Sequence, residues 1–190
     1  MSATAESLIH RHRYSVQDYY RMVDSGILAP DARVELIDGE VIEMPPIGAR
    51  HASLVTDLQN LLIAAVGARA LIRVQSPVHL DGYNEPEPDI ALVRPQARRY
   101  RERHPQPSDC LLLIEVAEST LRYDRDVKIA LYSRHGIPDA WLIDTGSATL
   151  TVYRQPAPDG CRELIRWAAL DRVPVPGLDP LHVDLSQVIG

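Results

Sequence analysis

Two acidic residues interrupt two apolar segments of the sequence that have the character of β-strands. Asp89 directly precedes the apolar residues 90–93, and Glu115 lies inside the apolar residues 111–117. Removing an unpaired charge from water is costly, so each carboxylate needs a cationic side chain or a metal ion as its partner. Two neighbouring carboxylates repel and one takes up a proton, whereas a divalent cation lets both stay ionised. The pair predicts a metal site; the alternative is a turn cap at Asp89 and an arginine partner for Glu115.

Lys128 is the third residue that could do chemistry. It is the only lysine in the chain, beside nineteen arginines. Side chains of a helix lean toward its N-terminus, which would carry Lys128 back toward the segment after Glu115. A compact ammonium suits a single phosphate oxygen or a water molecule. The alternative is an ion pair with Asp124 on a solvated helix face.

Three further polar residues lie at positions where a site could use them. Glu35 stands among apolar residues before a hairpin turn, and either faces inward as another acid or is an exposed strand residue. His51, near the start of a long helix, either contacts phosphate or water or is an ordinary residue of the cap region. Asp144 ends a strand before Thr145-Gly146, which favours a turn role.

Residues 94–104 form an arginine-rich loop that suits a polyanion. Five arginines surround Tyr100 in this segment. We expect its arginines to meet nucleic-acid phosphates and the tyrosine ring to stack on a base. The predicted contact residues are Arg98, Arg99, Tyr100, Arg101 and Arg103. A solvated charge run is the alternative.

The elements that must position these residues follow from periodicity and turn signals. Ser15 and Asp18 form a capping pattern before a first helix, and Asp38-Gly39 predicts a hairpin turn. From residue 49 the expected order is helix, three strands, helix, strand, followed by two C-terminal strands. The predicted segments are a helix at 49–66, strands at 71–80, 89–93 and 110–116, a helix at 121–135 and strands at 140–143, 149–153 and 163–167. This order predicts an α/β fold of the α+β type with a mixed sheet.

Length and composition limit the class of protein. At 190 residues we expect a flexible N-terminus at 1–13 and a single domain at 14–190. Two cysteines are too few for a disulfide framework, and neither a signal peptide nor a segment of about 20 apolar residues is evident. We therefore expect a cytoplasmic protein without a membrane span. A net charge of −6 argues against a nucleic-acid coat protein but not against an enzyme with a local basic patch. Common nucleotide-binding, zinc-protease and serine-hydrolase motifs are absent.

The combined pattern resembles the PD-(D/E)XK nuclease superfamily, and more closely the bacterial family described as putative restriction endonucleases, formerly a domain of unknown function. The resemblance covers the chain from Tyr14 to about Leu185. It is carried by residues 34–40, His51, residues 87–90, residues 114–116, Ser119-Thr120, residues 124–128, Tyr132 and residues 136–144.

The resemblance implies a restriction-endonuclease-like core and a set of site residues. Asp89, Glu115 and the Val116 carbonyl would hold Mg²⁺, for which Mn²⁺ could substitute, and Glu35 would assist the acidic cluster. His51 and Tyr132 would be accessory residues. The superfamily places a lysine two residues after the second acid, where this chain has Ala117, so the resemblance implies that Lys128 supplies the amine.

The resulting hypothesis is a Mg²⁺-dependent endonuclease that hydrolyses DNA phosphodiester bonds. A homodimer would suit double-strand cutting. Two alternatives stay open: a non-catalytic interaction module that keeps the nuclease fold, and a metal-dependent hydrolase of a smaller phosphate ester. Convergence of Asp89, Glu115 and Lys128 would favour an enzyme over the module.

Overall fold

The computed structural model describes residues 11–167 and 169–189. Most of the predicted flexible segment 1–13 lies outside the described residues. The chain divides into two compact units, one comprising residues up to Pro45 with Leu80–Pro86, and the other comprising Pro46–His79 with the residues from Glu87 onward. In the described ranges, no helix is long and apolar enough to cross a membrane.

The smaller unit contains one helix and one hairpin. Helix α1, Val16–Asp24, begins at Ser15, whose hydroxyl accepts from the Asp18 amide while the Asp18 carboxylate accepts from the Ser15 amide, as the capping pattern predicts. Strands β1, Val34–Ile37, and β2, Glu40–Glu43, pair antiparallel. Asp38 and Gly39 both have positive φ, which is the backbone that a tight hairpin turn requires.

The larger unit is built on a six-stranded mixed sheet in the order β3-β4-β5-β6-β7-β8. Its strands are β3 Leu71–Val74, β4 Ile90–Val93, β5 Cys110–Ala117, β6 Asp139–Asp144, β7 Thr149–Ala157 and β8 Gly160–Trp167. Only the β5–β6 pairing is parallel, which requires a crossover helix between these strands. The mixed α/β architecture confirms the predicted fold class.

Helix α2, Ala49–Val66, packs on one face of this sheet. Its buried residues recur at helical spacing and form the core with alternate residues of the sheet. Those residues are Leu54, Val55, Leu58, Leu62 and Val66 from the helix, and from the sheet they include Ile90, Leu92, Leu112, Ile114, Val116, Trp141, Ile143, Leu150 and Val152. The C-terminal segment adds β9 Val173–Pro174, β10 His182–Val183 and α5 Ser186–Ile189, and α2 contacts β10 and α5.

The crossover between β5 and β6 is a helix with a π-helical centre. Helix α3, Leu121–Tyr123, leads into a π turn at Asp124–Lys128, and α4 follows at Ile129–Arg134. The Ile129 amide donates to the Asp124 carbonyl, which is the wider hydrogen bond of a π turn. Apolar periodicity predicts the extent of this helix but not its π turn.

Two strand predictions differ from the structure in length. The strand predicted at 71–80 ends at Val74, because Gln75 has a φ of +43° and Pro77 has no amide to donate. The two C-terminal strands are longer than predicted and pair up to Ala157 and Gly160, with Pro158 and Asp159 as the turn between them.

Candidate active site

The two acids lie in one row across the sheet of the larger unit. The pairing of β4 with both β3 and β5 is antiparallel and includes Ile90. Continuing both registers one residue beyond Ile90 places Asp89 opposite Gln75 on one side and opposite Glu115 on the other. Directly opposed residues of antiparallel strands point to the same face. Gln75, Asp89 and Glu115 therefore lie side by side in one row across the sheet.

The Asp89 carboxylate accepts two hydrogen bonds and lies close to a histidine ring. Its Oδ2 accepts from the Val116 amide at 2.9 Å, and its Oδ1 accepts from the Gln75 side-chain amide at 3.3 Å. The Nε2 of His51 in α2 lies 3.0 Å from Oδ1. This Nε2 is buried, yet among the described residues it has no hydrogen-bond partner, so its approach to Asp89 is close without being aligned as a hydrogen bond.

Glu115 is buried between the sheet and the crossover helix. Its residue surface is 2% exposed, Tyr132 donates its hydroxyl to Oε1, and the Lys128 Nζ lies 3.0 Å from the same oxygen. Burial raises the pKa of Glu115 well above its usual range, and the charges of Asp89 and Asp124 act in the same direction. The Lys128 ammonium and the Tyr132 hydroxyl oppose that increase in pKa. The site therefore disfavours an ionised Glu115 unless more positive charge is close.

Lys128 points into the protein instead of the solvent. The residue is 1% exposed, and Nζ also donates to the Glu87 carbonyl at 3.0 Å. Asp124 is buried too, and its Oδ2 accepts from the Thr120 hydroxyl at 2.5 Å. The solvated helix face that the alternative assumed is therefore wrong, because both residues are buried. The π turn begins at Asp124 and ends at Lys128, and both residues are buried on the inner side of the helix.

Glu35 and Asp144, which the sequence also singled out, have different surroundings in the structure. Glu35 belongs to the smaller unit, where it is buried in β1, which excludes the exposed-strand alternative. Its role in the acidic cluster stays a prediction, as does the Val116 carbonyl as a ligand. Asp144 accepts hydrogen bonds from the amides of Gly146 and Ser147, so it has the turn role that its position favours.

The arginine-rich loop is partly anchored in the protein. Tyr100 is buried, its hydroxyl donates to the Arg94 carbonyl at 2.7 Å, and burial raises the pKa of Tyr100 to about 12. Stacking of this ring on a base is therefore not supported, because the ring has no exposed face to offer. Arg103 pairs with Asp109 at 2.6 Å, and Arg98 pairs with Glu102. Exposed guanidinium groups for a polyanion remain at Arg98, Arg99, Arg101 and Arg103.

Three members of the site are not apparent from the sequence. Gln75 lies beyond the end of β3, the Glu87 carbonyl is part of the backbone, and Asp124 suggests an ordinary exposed helix residue. Gln75 becomes visible only when β3 is aligned against β4, since the register then places it opposite Asp89.

Comparison with known proteins adds to this geometry. Residues 16–185 match the Uma2 family model, whose description is "Putative restriction endonuclease". The chain belongs to the Uma2 family. The resemblance to a family of putative restriction endonucleases is thereby confirmed. No curated protein matches the sequence significantly.

A solved structure shows the same fold as this Uma2 protein. It is described as a putative nuclease belonging to DUF820 from Anabaena variabilis ATCC 29413, and it aligns with a TM-score of 0.63 at 21% identity. The alignment covers 82% of this chain and 89% of that one. At this identity the likeness shows the fold alone, which is a nuclease-like mixed α/β fold.

Proposed function

We propose that this Uma2 protein is a Mg²⁺-dependent endonuclease that hydrolyses DNA phosphodiester bonds. The observation that carries the proposal is the row formed by Asp89 and Glu115, with the Lys128 ammonium 3.0 Å from Glu115. The buried Lys128 ammonium beside a carboxylate of this row is the convergence expected of a phosphodiesterase site. It favours an enzyme over a non-catalytic module with the same fold.

The donor set suits a hard divalent cation. Among the described residues no group of three or more His, Cys, Asp and Glu side chains could hold a metal. Mg²⁺ does not require such a group, since it is commonly bound by one or two carboxylates together with water and substrate phosphates. The buried His51 Nε2, which has no hydrogen-bond partner within the described part of the chain, is a further sign of fit, because a metal-bound water beside Asp89 would supply one.

Each residue then has a distinct task. Asp89, Glu115 and the Val116 carbonyl would hold Mg²⁺, which when bound lowers the pKa of water and polarises the phosphoryl oxygen. Lys128 offsets the negative charge that develops on the phosphate, from a position fixed by the Glu87 carbonyl. Tyr132 holds Glu115 in place through its hydroxyl, and His51 can hydrogen-bond water or phosphate next to Asp89.

DNA is proposed as the substrate because the family description reads "Putative restriction endonuclease" and because the exposed arginines of residues 94–104 suit a phosphate backbone. A symmetric dimer that cuts both strands stays a prediction.

A cleavage assay tests the proposal. Supercoiled plasmid, single-stranded DNA and RNA are incubated with wild-type protein in Mg²⁺, in Mn²⁺ and in chelator. We expect metal-dependent conversion of the plasmid, and its loss in Asp89→Asn. The exposed Asp57→Asn on α2 is the matched control and should cut at the wild-type rate. Absence of cleavage by wild type under all metals, or equal cleavage by Asp89→Asn, would contradict the proposal.

A further inference from the structure

Gln75 has an unusual backbone conformation at the edge of the candidate active site. Its φ is +43°, in the left-handed region that residues other than glycine seldom occupy. Such a conformation is strained and persists where the surroundings hold it in place. The residue directly follows β3, so the strain is located where the sheet meets Asp89.

Both hydrogen-bond donors of Gln75, the backbone amide and the side-chain amide, are directed at Asp89. Its backbone amide donates to the Asp89 carbonyl at 3.1 Å, and its side-chain amide donates to Asp89 Oδ1 at 3.3 Å. The first bond extends the β3–β4 ladder by one pair. The second bond is not part of the backbone ladder, because its acceptor is the side-chain carboxylate of Asp89.

With the side-chain hydrogen bond from Gln75, both oxygens of the Asp89 carboxylate accept a hydrogen bond. The Val116 amide occupies one site on Oδ2, and the Gln75 amide occupies one site on Oδ1. A carboxylate has about four lone-pair sites, so both oxygens keep capacity for a cation while the plane of the group is fixed. Hydrogen-bonding partners that orient a metal ligand in this way typically contribute 10- to 100-fold to metal affinity.

We infer that Gln75 is a positioning residue, which orients the Asp89 carboxylate toward the divalent cation. The inference rests on the proposed function, because it concerns the metal held there. Gln75 is assigned no contact with substrate; its effect passes through Asp89.

Substitutions at Gln75 separate this role from simple tethering of β3 to β4. Gln75→Met keeps the length of the side chain but has no donor. Gln75→Asn keeps the amide on a shorter side chain and tolerates a positive φ. Gln75→Glu puts an acceptor where the donor was, against Asp89. Gln17→Met, on the exposed side of α1, is the matched control.

The experiment measures the melting temperature as Mn²⁺ is titrated, which yields an apparent Kd for each variant. We expect Gln75→Met to melt within a few degrees of wild type without metal, and to bind Mn²⁺ about 10-fold or more weakly. Gln75→Asn should recover part of the loss. Gln75→Glu should melt lower without metal and gain more than wild type when Mn²⁺ is added, because the cation relieves the repulsion between the two carboxylates.

Different results would identify which idea is wrong. An unchanged Kd in a folded Gln75→Met would overturn the inference at any metal-free melting temperature, and a lower melting temperature would then show that the amide only tethers the strands. If Gln75→Met fails to fold, the Gln75→Glu titration decides, and an Mn²⁺ gain no larger than that of wild type would overturn it. Absence of any Mn²⁺ response in wild type would overturn the proposed metal site and the inference together.

Discussion

At Glu115 the protein holds a carboxyl group where little water reaches. Burial is the largest cause of its raised pKa, and the neighbouring carboxylates of Asp89 and Asp124 add to it. The Lys128 ammonium at 3.0 Å opposes this effect. A site with this balance gains from a bound cation, since a second positive charge allows Glu115 to ionise.

The raised pKa of Glu115 has a consequence for stability in the absence of metal. Between the ordinary glutamate pKa, about 4.5, and the raised pKa, the folded state holds a proton that the unfolded state has released. The Glu115 contribution to stability is therefore present below about pH 4.5 and is lost as pH rises through the folded pKa. In chelator, the unfolding free energy of wild type should fall with rising pH by up to about 1.4 kcal/mol per pH unit more than that of Glu115→Gln. Denaturant titrations from pH 4.5 to 8 measure this difference, and parallel curves for the two proteins would contradict it.

Lys128 leads to a prediction about activity. Arginine keeps the charge, but its planar, forked guanidinium is longer and does not fit where a compact ammonium donates to the Glu87 carbonyl. We expect Lys128→Arg to fold and to lose most DNA cleavage. Lys128→Ala should lose cleavage as well. An ammonium that contributes about 3 kcal/mol in the transition state corresponds to a loss of about 10²-fold or more in rate.

Turnover at saturating metal, with circular dichroism as a folding control, measures these losses. Arg134→Ala, a cation near the end of the same crossover helix, serves as the control for general effects of removing charge. Wild-type turnover by Lys128→Ala would show that the amine has no catalytic role.

At the scale of elements, contacts of Tyr100 and Arg103 anchor the arginine-rich loop of residues 94–104. The buried Tyr100 anchors it, and Arg103 with its Asp109 partner ties it to the 3₁₀ turn Pro107–Asp109 that precedes β5. The exposed guanidinium groups of the loop therefore extend from an anchored segment of backbone. This arrangement suits backbone contacts that do not depend on sequence.

Replacing Arg98, Arg99 and Arg101 by Ala should weaken DNA binding similarly for unrelated sequences. Each lost phosphate contact should reduce the slope of log affinity against log salt by about 0.9, so a change of about 1 to 3 is expected for the triple variant. Fluorescence anisotropy with catalytically inactive Asp89→Asn protein measures the slope without cleavage. Arg162→Ala, on the exposed side of β8, is the control, and an equal slope in all proteins would mean that the loop does not contact DNA.

The elements were predictable to different degrees. The capping pattern at Ser15 depends on neighbouring residues, so the sequence alone predicted α1. The end of β3 and the burial of Tyr100 depend on contacts between segments that are distant in the chain. Periodicity carries no information about such contacts.

For the whole molecule, the family and the nuclease-like fold agree with the sequence pattern, which extends over nearly the full length of the chain. The net charge of −6 gives no general attraction to DNA, so substrate contact has to come from local cations and from a bound metal. The hypothesis that the two acids bind a metal followed from their types and spacing. The hydrogen bonds of Gln75 to Asp89 did not, because they depend on the register of β3 against β4.

The metal site is the central claim, and calorimetric titration with Mg²⁺ and Mn²⁺ tests it most directly. Wild type and the Asp57→Asn control should bind about one equivalent with the same affinity. Asp89→Asn and Glu115→Gln should bind at least about 10-fold more weakly while remaining folded. Equal binding by all four proteins, or no binding by wild type, would contradict a metal site at Asp89 and Glu115.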